Sequence, residues 1–266
     1  MKLSTSTALV TGAGNGMGRQ LVIGLIKMGA KVAALDIDAS ALSETKRLAG
    51  ASEDNFKAFV IDITDADKVA ALPKTIAEEF SPIDLLINNA GIIQPFVRIN
   101  QLDKEAAEKV IQINFFGPFN LIKAFLPSLL EKKSAHIVNT SSMGAYTPVP
   151  GQSLYGASKA ALAALTAGLR SELIDTNINV TTVYPGAIAT NIALNSGINL
   201  SDLSTPNKKI KMTSPEKAAA LILEAIEKNK AQLFIGKDAK TMNFLTRLNP
   251  VFAARIIQKQ MKGLLK

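Results

Sequence analysis

Thr11-Gly12-Ala13-Gly14-Asn15-Gly16-Met17-Gly18 stands between a short apolar run, Thr7–Thr11, and a segment of helical periodicity, Met17–Met28. Glycines at this junction let the backbone turn tightly. The helix that follows presents free N–H groups and the positive end of its dipole, a ready site for a pyrophosphate. The spacing is Gly-x-x-x-Gly-x-Gly, with Gly12, Gly16 and Gly18 as its glycines and Asn15 and Met17 between them. What gives the cluster meaning is its place after a strand and before a helix.

Outward from the turn, short β-rich runs alternate with longer helical ones. Lys31–Asp36, Phe56–Asp62, Asp84–Asn88, Ala135–Ser141, Ile178–Tyr184 and Gln232–Ile235 read as further strands. A long helical region covers about Lys104 to Glu131, and Leu154–Asp175 is a helix rich in alanine and leucine. Strand-then-helix order implies a parallel sheet covered on both faces. The expected fold is therefore α/β: a Rossmann-type, doubly wound parallel sheet of about seven strands with helices on both faces. No linker or internal repeat interrupts it, so residues 1–266 are expected to form a single dinucleotide-binding catalytic domain.

Composition narrows the chemistry. The 266 residues contain no cysteine and one histidine, which excludes disulfides and thiolate metal sites and leaves no cluster for a metal. With no tryptophan and few aromatics, base-stacking platforms for single-stranded nucleic acid are not expected. No apolar segment follows Lys2 as in a secretory signal, and no stretch approaches the ~18 apolar residues of a membrane span. The protein is expected to be soluble and cytoplasmic. The net charge of +8 is uneven: residues 1–207 sum to −1 and residues 208–266 to +9. The cationic character belongs to the tail.

Asp36 closes the second strand. A carboxylate there accepts hydrogen bonds from adenosine ribose hydroxyls and repels a 2′-phosphate. Neither Ile37 nor Asn15 offers a compensating positive charge, so NAD is expected over NADP. Asp62-Ile63 ends the third strand and is a candidate border for the adenine, or a plain turn.

Tyr155 and Lys159 lie four apart on a helical stretch and share a face. Of the three tyrosines, Tyr146, Tyr155 and Tyr184, only Tyr155 has a lysine at this spacing. A phenol titrates near ~10; a nearby ammonium and a positively charged nicotinamide ring lower that value and let it exchange protons near neutral pH. Upstream, Ile137-Val138-Asn139-Thr140-Ser141-Ser142 ends in two hydroxyls at the sheet edge where ligands bind, and the chemistry alone does not choose between them.

Thr11–Gly18, Asn88-Asn89-Ala90-Gly91, Asn114, Ser142, Tyr155-x-x-x-Lys159 and Pro185-Gly186 with Thr190 follow one another in order. The chain resembles the short-chain dehydrogenase/reductase family over about Thr7 to Thr190. The resemblance implies that Ser142, thirteen residues before Tyr155, is the catalytic serine. It implies that Asn114 holds, on its backbone carbonyl, a water linking Lys159 to solvent, and that Tyr155 and Lys159 also touch the cofactor. Asn89, Ala90 and Gly91 would line the cofactor, with Asn88 bracing the sheet. Pro185, Gly186, Ile188 and Thr190 would meet the nicotinamide, Ile188 through its N–H.

The expected activity is interconversion of a secondary alcohol, hydrophobic by preference, and its ketone by hydride transfer, with Tyr155 as acid/base. The alternatives are a 3-oxoacyl thioester reductase, in which Lys208, Lys209 and Lys211 meet an acidic carrier, and a non-catalytic cofactor-sensing member of the fold. A substrate lid is expected at about 190–213, where Ile192, Leu194, Ile198, Leu200 and Leu203 are spread through polar sequence. Homodimers or homotetramers would form through the helices near Lys104–Glu131 and Gln152–Asp175. Asn249-Pro250 is a helix start, opening the last helix of a basic tail at about 240–266. There Phe252, Ile256 and Ile257 lie on one side, a candidate for weak membrane-surface contact or, more plainly, for covering the pocket or packing on a neighbouring subunit. His136 is expected to be a near-surface residue at a strand start rather than a base.

Overall fold

The computed structural model describes residues 1–190, 192–196 and 212–260. The first strand, β1 (Thr7–Thr11), is followed by α1 (Gly16–Lys27), β2 (Lys31–Asp36), α2 (Ala39–Ala49), β3 (Phe56–Val60) and α3 (Ala66–Glu79). β4 (Leu85–Asn88) leads to α4 (Lys104–Ile111), a π-helical turn at Gln112–Phe116, and α5 (Gly117–Leu130). Then come β5 (Ala135–Thr140), α6 (Ser153–Glu172), β6 (Ile178–Pro185), α7 (Ile192–Asn195), α8 (Pro215–Glu227), β7 (Gln232–Ile235), α9 (Lys237–Leu248) and α10 (Pro250–Gln260). All seven strands pair in parallel, in the order β3-β2-β1-β4-β5-β6-β7. This is the Rossmann-like arrangement read from the alternating pattern.

The strands are apolar on both sides because both sides are covered. Ala8 and Val10 face a layer with Leu21, Leu25 and Ile222, from α1 and α8. Leu9, one residue on, faces Val69, Leu72, Leu121 and Phe125, from α3 and α5. The period of two along β1 thus feeds two separate cores. Each fully buried leucine contributes about 1.5–3 kcal/mol.

Helix starts are marked by side-chain acceptors. Asp38 Oδ1 takes the Ala41 N–H, Asp65 Oδ1 the Lys68 N–H, and Ser214 Oγ the Lys217 N–H. Asn249 caps α10 as its position before Pro250 predicts, its Oδ1 2.9 Å from Phe252 N.

Two expectations need correction. His136 is not near the surface: it is wholly buried at the start of β5. Its Nε2 lies 2.7 Å from Thr181 Oγ1. That hydroxyl donates to the Lys230 carbonyl, so the ring N–H donates to Thr181. Burial pushes the imidazole down to about 3 and keeps it neutral. Its strand end is opposite to the one that delivers Ser142. The second correction concerns apolar length. Lys104–Leu130 is a 27-residue helical run containing an 18-residue window of mean hydropathy 1.2, long and apolar enough to cross a membrane by length and composition alone. It arises because α5 supplies Leu121, Phe125 and Leu129 to the core, while Phe119 and Leu130 of α5 and Phe116 of the π turn stay outside.

Asp84 sits just before β4, where its Oδ1 accepts the Thr7 N–H at 3.1 Å. Burial raises its carboxyl from 3.8 to about 6, against the pull of that hydrogen bond and of Lys132. The folded state therefore prefers the protonated form. The associated stability is complete below about 4 and lost as pH rises through about 6. Asp84→Asn keeps the acceptor and removes the charge. Urea unfolding should show the variant gaining on the wild type by on the order of 1 kcal/mol between pH about 4 and about 7, a value discounted for partial exposure. An unchanged difference at the two pH values would refute this account.

Candidate active site

The ends of β1 and β4 part where the strand order reverses, and a cavity of about 470 Å³ opens there. The glycine turn forms one wall. Gly12 and Gly16 have φ of 64° and 51°, the left-handed region that side chains disfavour. Asn15 caps α1, its Oδ1 accepting from Gly16 N at 2.7 Å. Gly12, Asn15, Gly16 and Met17 line the cavity, whereas Gly18 does not. A Cβ on Gly18 would fall 1.9 Å from the Gly12 carbonyl oxygen, so this glycine serves close packing beneath the turn.

Asp36 lines the same cavity, next to Leu35 and Ile37. Its Oδ2 accepts the Gly14 N–H at 2.9 Å and its Oδ1 the Asp38 N–H at 3.2 Å. Each carboxylate oxygen retains a further acceptor site. Arg19 went unweighed in the sequence. Its guanidinium binds the Gly14 carbonyl and Thr45 Oγ1, so its charge is spent on the turn rather than aimed into the cavity. Asp62 lines the cavity with Ile63, and its Oδ1 holds Thr64 in a turn.

Asn89, Ala90 and Gly91 form the facing wall. The Thr11 hydroxyl accepts from both Asn89 N and Ala90 N, at 2.9 and 3.0 Å, and Asn89 Nδ2 returns a bond to the Thr11 carbonyl. Asn88 is structural: it is buried and bonded to Asn139, itself bonded to Thr166. Asn114 does not line the cavity. It sits fully buried in the π turn, with Oδ1 on Ile92 N and Nδ2 on Ile92 O and Ser158 Oγ. π turns insert one residue into a helix and recur at functional sites.

The two serines separate by partner. Ser141 Oγ is turned away, donating to the Lys159 carbonyl at 2.8 Å. Ser142 Oγ accepts from Gly144 N at 3.0 Å, and Ser142 lines the cavity together with Tyr155. Lys159 is almost wholly buried and its Nζ donates to the Thr140 carbonyl at 2.9 Å. Burial pushes this ammonium down from 10.5 to about 8. The phenol of Tyr155 is raised by burial, with the Ser142 hydroxyl opposing. In the chain without cofactor, burial dominates this group, and the Lys159 ammonium points to the Thr140 carbonyl.

Three positioning residues escaped the sequence reading. Gln94 is fully buried, and its Oε1 accepts from Leu154 N and Tyr155 N at 2.8 and 2.9 Å, capping the helix that carries Tyr155 and Lys159. Ser158 Oγ joins Asn114 to the Tyr155 carbonyl. Asp238 accepts the Ala187 N–H at 2.7 Å and so fixes the segment after β6. Pro185, Gly186, Ile188 and Thr190 of that segment line the cavity. The N–H groups flanking Ile188 are committed, that of Ala187 to Asp238 and that of Ala189 to Thr213. Most of the expected lid, including Ile198, Leu200, Leu203 and the Lys208-Lys209-Lys211 group, lies outside the described residues.

A nicotinamide dinucleotide fits this set: an apolar slot of Leu35, Ile37, Ile61 and Ile113 for the adenine, the glycine turn and α1 for the phosphates, and Tyr155 with Lys159 at the far end. Comparison with known proteins agrees. The profile of the short chain dehydrogenase family matches residues 6–199. The oxidoreductase SadH of Mycobacterium tuberculosis is 34% identical over 248 residues, covering 91% of this chain and 90% of its own. The mouse dehydrogenase/reductase SDR family member 7B is 39% identical over 198 residues, covering 73% and 61%. A short chain dehydrogenase from Burkholderia cenocepacia, solved in complex with NADP, superposes with a TM-score of 0.81 at 28% identity, covering 97% and 99%. One from Burkholderia phymatum, solved with NAD, shares the fold with a TM-score of 0.83 at 24% identity, covering 94% and 95%. The chain belongs to the short-chain dehydrogenase/reductase family and is an NAD(P)-dependent oxidoreductase.

Gln94→Ala removes two bonds from the helix that carries Tyr155 and should lower turnover about tenfold, with cofactor affinity unchanged. Gln94→Glu keeps both acceptors and should recover most of the rate, with a pH profile displaced upward because its charge disfavours the phenolate. Stopped-flow rates for the two variants decide; equal losses in both would remove Gln94 from this role.

Proposed function

We propose that the protein interconverts a hydrophobic secondary alcohol and its ketone, with Tyr155 as the acid/base. The observation that carries this reading is the convergence of Ser142, Tyr155 and Lys159 on the cavity that the glycine turn opens. Nicotinamide bound in this cavity supplies hydride acceptance from, and return to, the substrate carbon.

Ser142 and Tyr155 hold the substrate oxygen between their hydroxyls. In oxidation Tyr155 withdraws the hydroxyl proton; in reduction it donates one to the carbonyl oxygen. Lys159, buried and anchored on Thr140, favours the phenolate when charged and contacts the nicotinamide ribose. Asn114, held in the π turn, offers its carbonyl to a water that passes the proton outward. The Ile188 N–H, between two committed neighbours, orients the carboxamide. Asn89 to Gly91 brace the cofactor from the opposite wall.

Preference for a hydrophobic substrate is supported by Ile92, Ile93, Ile188 and Ile192 on the cavity wall. Preference for NAD is supported by Asp36 at the ribose end and by the engagement of Arg19 elsewhere. Assembly into a homodimer or homotetramer through α4–α5 and α6 is supported by the exposed Phe116, Phe119 and Leu130.

Tyr155→Phe should reduce turnover by about 10²–10⁴-fold and leave NAD affinity nearly intact. A screen of secondary alcohols followed by NADH absorbance both finds the substrate and tests this, and a variant that keeps most of its rate would sink the role of Tyr155. Fluorescence titration should give tighter binding of NAD than of NADP, and Asp36→Ala should narrow the gap about tenfold or more. Tighter NADP binding by the wild type would overturn the preference.

A further inference from the structure

The C-terminal hairpin of α9 and α10 has two unlike faces. Its inner face, with Met242, Ala253 and Ile257 buried, packs on Met143, Tyr146 and Val149, just beyond Ser142. The apolar side expected of α10 is thereby largely used in packing: Ile257 is buried and Ile256 half-buried. The outward apolar surface comes instead from both helices. Phe244, Leu248, Val251 and Phe252 are 62, 67, 62 and 52% exposed.

Charge on the same hairpin is of one sign. Lys237, Lys240, Arg247, Arg255 and Lys259 are exposed. Among the described residues none of them is ion-paired. The one carboxylate, Asp238, is turned inward to the Ala187 N–H. At 3.6 residues per turn, Lys237, Lys240, Phe244, Arg247 and Leu248 fall within an arc of about 100°. Large apolar side chains are thus interleaved with unpaired cations on one side of the hairpin.

We propose that this face docks the protein on an anionic lipid bilayer. Aromatic and aliphatic side chains enter the headgroup boundary while the cations meet lipid phosphates. A second copy of the chain is the poorer occupant, because an isologous contact would set each cluster of cations against its own copy. Docking here holds the Ser142 side of the cavity close to the bilayer, which suits an apolar substrate. The proposal does not depend on the assigned reaction.

The test is sedimentation of the full chain with sucrose-loaded vesicles of phosphatidylcholine, with or without phosphatidylglycerol. The wild type should favour the anionic vesicles about tenfold or more, and raised salt should release it. Arg247→Glu with Arg255→Glu should cut partitioning about 25-fold, roughly fivefold for each cation removed. Phe244→Ser with Leu248→Ser should weaken it comparably, while circular dichroism and NADH turnover stay as in the wild type. Equal partitioning of the wild type to both vesicle types, none to either, or undiminished binding by the charge-reversed variant each overturns the proposal. So does a wild-type oligomer that the variants convert to monomer while vesicle binding persists, since the face would then join copies of the chain.

Discussion

A parallel sheet whose strand order reverses cannot cover its own middle. β1 sends its connection to one side and β4 to the other, and the ground between them stays open. Thr11 spans that ground. Its hydroxyl accepts two N–H bonds from the segment after β4, and its carbonyl takes a third from Asn89. The glycine turn and the facing wall are thereby held at a fixed separation. Gly18 closing on the Gly12 carbonyl locks the turn from beneath. The glycine turn and Asn89 to Gly91, two of the walls assigned to the cofactor, hang from this frame.

The reacting end is built on a different principle. Tyr155 and Lys159 are pushed toward their neutral forms by burial, the phenol upward and the ammonium downward to about 8. Neither shift is offset by a direct contact between the two. Each is held instead by uncharged partners: Lys159 by the Thr140 carbonyl, and the backbone of Tyr155 by Gln94 and Ser158. For Lys159 this brings the energies of its two protonation states closer near neutral pH, whereas the Tyr155 phenol is held in its protonated form until cofactor charge arrives. The Ser141 hydroxyl is committed to the Lys159 carbonyl.

How much of this was legible in the sequence depends on the range of the interaction. β1, β2 and β7 could be delimited to the residue because their boundaries rest on local signals: short β-rich runs and flanking turn residues. The start of α10 at Asn249-Pro250 is equally local. The cavity-lining residues came out because motifs record local geometry in a fixed order. Gln94, Asp238 and Ser158 were missed for the opposite reason. Gln94 meets α6 some sixty positions away, and Asp238 meets Ala187 fifty-one positions away, with no periodicity to betray either. His136 was misplaced because its burial is decided by β6 and the Lys230 segment, not by its own neighbours. The expected titration of Tyr155 rests on Lys159 together with a charged nicotinamide ring, and spacing reports proximity to a charge, not the loss of water.

The π turn at Gln112–Phe116 has a consequence for how this chain tolerates changes of length. It is one residue of surplus, absorbed between two α-helical segments that must each present an apolar side. Deleting a single codon there would close the bulge to a regular helix and leave the residues downstream facing as before, so Leu121, Phe125 and Leu129 would stay on the sheet. A codon lost from the regular part of α5 has no surplus to draw on and would rotate everything beyond it by about 100°. The loss at the π turn is local, and falls on Asn114, which is kept in the core by an irregularity that looks, by itself, like a defect.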